Sequence, residues 1–360
     1  MGSMESNRAI AKELVDKLAL KHCLELEEYK LLVSSFDCEL AAYAASLAVD
    51  ACLGVYGKNI YVRGLIEFSN YCKNNCYYCG IRAENKACER YRLTNSQILE
   101  CADEGYKLGY RTIVLQSGED EYYTDEILCN LISALKEQHQ DCAVTLSIGE
   151  RSAKSYQLLR AAGADRYLLR HETANKAHYE KLHPGQMSWQ NRMDCLQNLK
   201  DCGFCVGAGF IVGSPYQSAA SIAQDLKFIE QFKPQMCGIG PFVPHHATQF
   251  AKCEAGSVDL TCYLLSLIRL IQPNILLPAT TALATLAQDG RERGILSGAN
   301  VVMPNLSPRN VRKKYEIYDN KACTGEEAAA SFKRLKASLS KIDRNLTIDR
   351  GDPKPLKEVL

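Results

Sequence analysis

From Asn59 onward the chain alternates short β-branched, apolar runs with longer stretches whose apolar residues recur every three or four positions, and few folds satisfy that rhythm. The strand-like runs are 60–68, 112–116, 143–148, 166–169, 205–212, 235–239, 275–277 and 299–303. Between them, 96–107, 125–138, 189–201, 219–232 and 260–271 carry helical spacing. Gly109, Gly163, Gly203 and Gly298 fall just before a strand, where a left-handed residue ends a helix. Eight strands, each but the last followed by a helix, predict a parallel (β/α)8 barrel over 59–308. The rival is an open doubly wound sheet, but no glycine-rich turn follows the first strand. Residues 1–58 read as a helical extension, with amphipathic spacing at 9–20 and 40–53. Residues 309–360 read as a tail with a helix near 325–342 and a charged end expected to fray. The opening Met1-Gly2-Ser3-Met4 reads as an expression remnant and carries no weight here.

Charge narrows the partners. Lys plus Arg number 43 and Asp plus Glu 42, a net charge of +1. Such a balance provides no field to hold nucleic acid or an anionic membrane. No apolar run is expected to reach the length of a membrane span, and the N-terminus is too polar for a signal peptide. A cytoplasmic protein is the expectation. Cysteine is the abnormal number: 17, an odd count in a long chain. A disulfide framework is not expected, most of these thiols should be small buried hydrophobes, and such richness suits an anaerobic cell.

Three of the cysteines stand apart in Cys72-Lys-Asn-Asn-Cys76-Tyr-Tyr78-Cys79-Gly80, directly after the first strand. In a barrel that loop belongs to the C-terminal face, where active sites are built. A structural zinc normally takes four ligands, so an incomplete zinc knuckle is the weaker reading. Three thiolates can instead hold three irons of a [4Fe–4S] cluster and leave the fourth iron open. Chance clustering in a cysteine-rich chain would not also select this loop.

C-x3-C-x2-C in that position resembles the radical S-adenosylmethionine (SAM) superfamily. Further motifs at strand ends narrow the likeness: Leu115-Gln116-Ser117-Gly118-Glu119-Asp120, similar to the superfamily's Gly-Gly-Glu loop, and Val144-Thr145-Leu146-Ser147-Ile148-Gly149-Glu150. Leu169-Arg170-His171-Glu172-Thr173, Gly238-Ile239 through His245, Pro278-Ala-Thr280-Thr281 and Gly298 through Met303-Pro-Asn305 follow. Together they resemble the HydE family of [FeFe]-hydrogenase maturases over about residues 59–323.

That resemblance implies roles. Cys72, Cys76 and Cys79 would ligate one [4Fe–4S] cluster, and Tyr78 would lie along the adenine. Gln116, Ser117, Thr145, Ser147, Glu172, Arg192 and Ile239 would line the SAM site, a carboxylate suiting ribose hydroxyls and a guanidinium suiting the methionine carboxylate. Arg170, Thr280, Thr281, Met303, Tyr315 and Tyr318 would face a deeper substrate cavity, where an arginine and two threonines could cradle an anion. Reductive cleavage of SAM would release a 5′-deoxyadenosyl radical. The implied substrate is an iron–cysteine complex bearing carbonyl and cyanide, a precursor of the hydrogenase H-cluster, with the maturases HydG and HydF as partners. Alternatives are a related radical enzyme, such as methylornithine synthase or biotin synthase, and a non-catalytic iron–sulfur carrier. Some HydE-type chains carry a second cluster at C-x7-C-x2-C near the C-terminus; here Cys323 would be followed by Ser331 and Arg334, so one cluster is expected.

Other signals are discounted. Arg170 and Glu172 are not among them: two apart on a strand, they would point to the barrel interior, where an idle charge is costly, so function is the expectation and a plain ion pair the competing reading. Cys202-Gly-Phe-Cys205 sits where a helix ends, not at the helix start that activates a redox thiol. Gly207, Gly209 and Gly213 are expected to admit a ligand or helix close to the strand. His245-His246 shows no metal-ligand spacing with other donors.

Overall fold

The structure, a computed structural model, describes residues 2–322 and 328–355. It opens with α1 (Gly2–Lys21), α2 (Leu26–Ser34) and α3 (Cys38–Tyr56). β1 (Asn59–Val62) and β2 (Gly64–Ser69) follow, then α4 (Asn95–Lys107), β3 (Thr112–Ser117), α5 (Asp125–Gln138), β4 (Ala143–Ser147) and α6 (Ala153–Ala161). Next come β5 (Arg166–Leu168), α7 (Lys176–Leu182), α8 (Trp189–Asp201), β6 (Cys205–Ala208), β7 (Ile211–Val212) and α9 (Ala219–Phe232). The second half holds β8 (Met236–Cys237), β9 (Gly240–Pro241), α10 (Val258–Ile271), α11 (Thr281–Leu286), α12 (Gly290–Ile295) and β10 (Val301–Val302). The tail adds α13 (Arg309–Arg312), α14 (Ala328–Lys341) and β11 (Asn345–Thr347).

Local chemistry starts the helices cleanly. Thr94, Thr124, Ser152, Asn175, Ser188, Ser218 and Ser257 each accept a hydrogen bond from a first-turn amide of α4 to α10 in turn. Each such cap contributes about 1 kcal/mol. Gly109, Gly163, Gly203 and Gly298 all take positive φ, between 76° and 110°, where the expected helix stops fall.

Six strands pair in parallel in the order β2-β3-β4-β5-β6-β8. Single parallel bridges, Met236 to Leu276, Pro278 to Val301 and Leu65 to Asn305, carry the ring onward and back to β2. The chain is a (β/α)8 barrel with helices at both ends. Two expected strands are cut short. The run at 205–212 divides into β6 and β7, and that at 235–239 gives way to β8 and β9; β7 and β9 pair with each other. The break lies at Gly209, with φ +149°, where a Cβ would stand 2.1 Å from the Gly238 carbonyl oxygen. Gly209 therefore admits the neighbouring stave, and Gly213, with φ +72°, admits the loop at Gly256, rather than a helix. The run at 275–277 reduces to the Leu276 bridge.

Three further expectations change. α3 is 19 residues long and, by length and composition, apolar enough to cross a membrane. Its Leu40, Ala44, Ala48, Cys52 and Tyr56 nevertheless form one buried stripe, four residues apart as a core-facing helix requires. The described cysteines are all free of disulfides, but only Cys52, Cys101, Cys142, Cys195, Cys237 and Cys262 are buried. Most of the others are half-buried, because they lie in loops or at element ends. Finally, the charged end does not fray through residue 355: β11 pairs in parallel with β1. Thr112 Oγ1 donates to the Arg350 carbonyl at 2.7 Å, and Arg166 Nη2 donates to the same carbonyl and to Asp352, each at 2.7 Å. Arg166 is 1% exposed, so its charge demands those partners. Cys323 lies outside the described residues, as does the start expected for the tail helix at 325.

Candidate active site

The cysteine loop leaves β2 just past an irregularity in register between Glu67 and Ser69. Its root is held by a buried carboxylate: Asp120 accepts from Ser69 Oγ at 2.6 Å and from Arg92 Nε and Nη2 at 2.7 and 2.9 Å. That fork is a strong charge-assisted pair, and Arg92 also stacks 3.7 Å from the Tyr71 ring centroid. Arg90 donates to the carbonyls of Asn70, Ile81 and Arg82, closing the loop on itself. Gly118 allows the β3 loop to press in from the side; a Cβ there would lie 2.3 Å from the Tyr71 carbonyl oxygen and 2.7 Å from Cys72 Cβ.

Burial raises the pKa of all three thiols: Cys72 moderately, Cys76 strongly, and Cys79 to about 12. After burial, the other two thiols raise Cys76, and Cys72 raises Cys79, so the sulfurs share one electrostatic neighbourhood. They are nonetheless spread wider than the ligands of a single ion. Among the described residues, only His245, His246 and Asp319 bring three such donor atoms within 4.8 Å of one another. Three soft sulfur donors suit the irons of an iron–sulfur cluster. Thr145 Oγ1, in the middle of β4, and Thr280 Oγ1, at the start of α11, are buried without a hydrogen-bond partner, which leaves both open to a ligand.

Around the loop, Tyr78 donates its hydroxyl to His183 Nε2 at 3.1 Å. The other ring nitrogen, Nδ1, faces the Tyr179 carbonyl at 2.9 Å and so carries the proton. Burial, followed by the Arg192 charge, pulls His183 down to about 3 and keeps it neutral. Arg192 is itself engaged, donating from Nε to Glu150 at 2.5 Å and from Nη1 to the Arg170 carbonyl at 2.6 Å. Ser117 Oγ donates to the Gly118 carbonyl at 2.7 Å, Ser147 is half-buried, and Ile239 is buried.

Arg170 and Glu172 lie beyond the end of β5, and regular alternation does not place them. Glu172 adopts a left-handed conformation, φ +63°, uncommon for a side-chain-bearing residue. Arg170 Nε donates to Glu172 Oε1 at 3.1 Å and Nη2 lies 3.0 Å from Oε2, so the ion pair weighed from sequence is present, with Oε2 accepting no hydrogen bond. Thr280 caps α11 without using its side chain, and Thr281 begins that helix. Met303 packs with Tyr61, Met236, Leu276 and Val301, deeper in the barrel.

The two tyrosines from the tail reach the site on a strap, residues 314–322, that crosses the mouth. Asn70 Nδ2 donates to the Lys314 carbonyl at 2.7 Å, Gly80 N to Ile317 at 2.9 Å, Asp319 N to Pro244 at 3.1 Å and Ala322 N to Thr285 Oγ1 at 3.0 Å. Tyr315 is buried and its hydroxyl meets the Gln116 side chain; Tyr318 lies near the Arg170 charge. The strap also corrects the reading of His245-His246, for Asp319 Oδ1 stands 2.7 Å from His246 Nδ1 and 3.7 Å from His245 Nε2. Because His245 Nδ1 accepts from Ala247 N at 3.0 Å, its proton sits on Nε2, which suits a latch to Asp319 better than a metal ligand. Sequence reasoning missed Asp319, His183 and the Glu150–Arg192 pair, since no spacing ties partners so far apart.

The Radical SAM superfamily pattern matches residues 66–229. The chain is 41% identical over 304 residues to the [FeFe] hydrogenase maturase subunit HydE of Thermotoga maritima, covering 84% of this chain and 86% of that one. It is 28% identical over 266 residues to 3-methylornithine synthase of Methanosarcina acetivorans, covering 73% and 74%. Among solved structures, methylornithine synthase (PylB) matches with a TM-score of 0.81 at 25% identity, covering 93% of this chain and 97% of that one. HydG, a maturase of the [FeFe]-hydrogenase, matches at 0.77 with 20% identity, over 95% and 77%, a likeness of fold. The barrel and its cysteine loop thus define a radical SAM enzyme, which uses a [4Fe–4S] cluster and SAM. Within that superfamily the chain belongs to the HydE family of hydrogenase maturases.

Proposed function

We propose that the chain cleaves SAM reductively and acts on an iron–cysteine complex bearing carbonyl and cyanide, in the cytoplasm, during assembly of the [FeFe]-hydrogenase H-cluster. The observation that carries this reading is the convergence, at one barrel mouth, of three half-buried thiols, an arginine–carboxylate ion pair and the strap that carries Tyr315 and Tyr318. When bound, the reduced cluster supplies the electron that breaks the sulfonium and yields the 5′-deoxyadenosyl radical. Cys72, Cys76 and Cys79 hold one cluster and leave one iron for SAM. Tyr78 lies along the adenine, Glu172 takes the ribose hydroxyls, and Gln116, Ser117, Thr145, Ser147, Arg192 and Ile239 complete that side. Arg170, Thr280, Thr281, Met303, Tyr315 and Tyr318 line the substrate side, where the cation and hydroxyls orient a carboxylate and the strap excludes water. HydG delivers the substrate and HydF takes the product. The likeness to methylornithine synthase supports a second reading, a carbon-skeleton mutase on an amino acid; the higher identity to HydE favours the first.

Anaerobic reconstitution with iron and sulfide, followed by reduction with SAM present, tests the proposal. We expect about four irons per chain and formation of 5′-deoxyadenosine that the iron–cysteine complex accelerates. Acceleration by lysine instead would select the mutase. No 5′-deoxyadenosine would reject both readings, and twice the iron would reject the single cluster. Arg170→Ala should abolish the substrate's acceleration, and an unchanged response would remove Arg170 from the cavity.

A further inference from the structure

α9 presents an apolar stripe to the barrel, Ile222, Leu226 and Ile229, and in its midst stands a carboxylate, Asp225, with no exposure at all. An isolated charge there is costly, and an apolar side chain would pack at lower cost. The carboxylate is occupied on one oxygen: Asp225 Oδ1 accepts from Ala174 N at 2.5 Å and lies 3.3 Å from His171 Nε2. His171 is equally buried, wedged between the Phe210 and Phe228 rings. Its Nδ1 accepts from Gly209 N at 3.2 Å, so the proton lies on Nε2, facing the carboxylate. The adjoining Gln224 adds a third tie, accepting from Asn175 Nδ2 at 2.8 Å.

The turn gripped in this way, 170–175, contains the left-handed Glu172. Backbone in that region is strained for a residue with a side chain and persists only where the surroundings over-determine it. Here the backbone of Glu172 is held by Gly209 O at 3.0 Å and Ile211 N at 3.3 Å, while α9 fixes the residues on either side. Neither Asp225 nor His171 reaches the mouth itself.

We propose that Asp225 and His171 are positioning residues: from outside the barrel they set the shape of the turn that aims Arg170 and Glu172, and so the affinity for the nucleoside part of SAM. The inference rests on the reading of Glu172 given above. Three measurements test it on the full chain. Equilibrium binding of SAM to the oxidised, reconstituted protein, without turnover, should weaken about tenfold in Asp225→Ala and recover most of that loss in Asp225→Asn, which retains the acceptor oxygen. The half-saturating SAM concentration for 5′-deoxyadenosine formation should rise in parallel, with the saturated rate and iron content within twofold of the parent. In the cluster-free protein, amide hydrogen exchange should quicken across 170–175 in Asp225→Ala while β3 and β4 stay protected. Unchanged SAM affinity, or losses of rate and iron in step with a general loss of protection, would overturn the proposal. If Asp225→Ala does not accumulate folded, His171→Gln is judged by the same binding measurement, with parental affinity overturning the proposal. A parent protein that binds SAM with normal Glu172-dependence yet never cleaves it would sink the functional reading alone.

Discussion

Arg63, between β1 and β2, is 5% exposed and lacks an acidic partner among the described residues. Nη1 donates to the Met236 sulfur at 3.1 Å, while Nε and Nη2 find no acceptor. Burial, with the nearby Arg166 charge adding to it, lowers its pKa to about 9. The unfolded chain therefore holds this proton more tightly than the folded one. The penalty on folding is complete below about 9 and fades as pH rises beyond that value. Arg63→Met should stabilise the cluster-free protein at neutral pH by about 1–3 kcal/mol, read as a higher midpoint in thermal or denaturant unfolding. A lower midpoint would mean that the guanidinium is repaid within the fold. At the same scale, Glu172→Gln removes the charge that balances Arg170 and should weaken SAM binding without altering iron content; equal binding would dissociate the ion pair from the nucleotide.

Individual elements differ in how openly the sequence declares them. Gly209 ends β6 at a conformation closed to other residues, with the Gly238 carbonyl in the way of any side chain. Gly209→Ala should lose about 1–3 kcal/mol to backbone strain alone and more to that collision, and should lower the unfolding midpoint sharply. α5, α8 and α9 were legible to the residue, because a Thr or Ser cap precedes an unbroken apolar stripe. α7, α11 and α12 were not, being only 7, 6 and 6 residues long, too short for a period to register. Strand ends blurred where apolar runs outlast their pairing, as at 205–212. The cysteine triad could be read because its members are adjacent in sequence. The partners that orient the site, Tyr78 with His183 or His171 with Asp225, are joined only by folding, and local spacing carries no trace of them.

Across the molecule, the N-terminal helices α1–α3 pack on α9 and α10, while the tail reaches both ends of the barrel. The tail threads its strap over the mouth through Ile317 and Asp319, then returns to the floor as β11 and the turn at Arg350–Asp352. At the floor, burial opposes the Asp352 charge, but Arg350 and Arg166 outweigh it and hold the carboxyl below its ordinary range. The unfolded chain then takes up this proton first, so the stabilisation is present at neutral pH and disappears as pH falls below about 4. Asp352→Asn should lower the unfolding free energy at neutral pH by less than the ~3–5 kcal/mol of a fully buried pair, since Asp352 is half exposed. It should also flatten the acid limb of a stability–pH profile. A parental acid limb in the variant would exclude Asp352 from the floor's electrostatics.

At its lower end β11 lies beside β1, and the turn at Arg350–Asp352 is bonded to Thr112 and Arg166. On the proposed reading, what enters at the upper opening also leaves there, past Tyr315 and Tyr318. Arrival and departure then compete for a single doorway, and a spent molecule that lingers bars the next. On the proposed reading, handover to another protein would take place at that rim, beside the strap at 314–322.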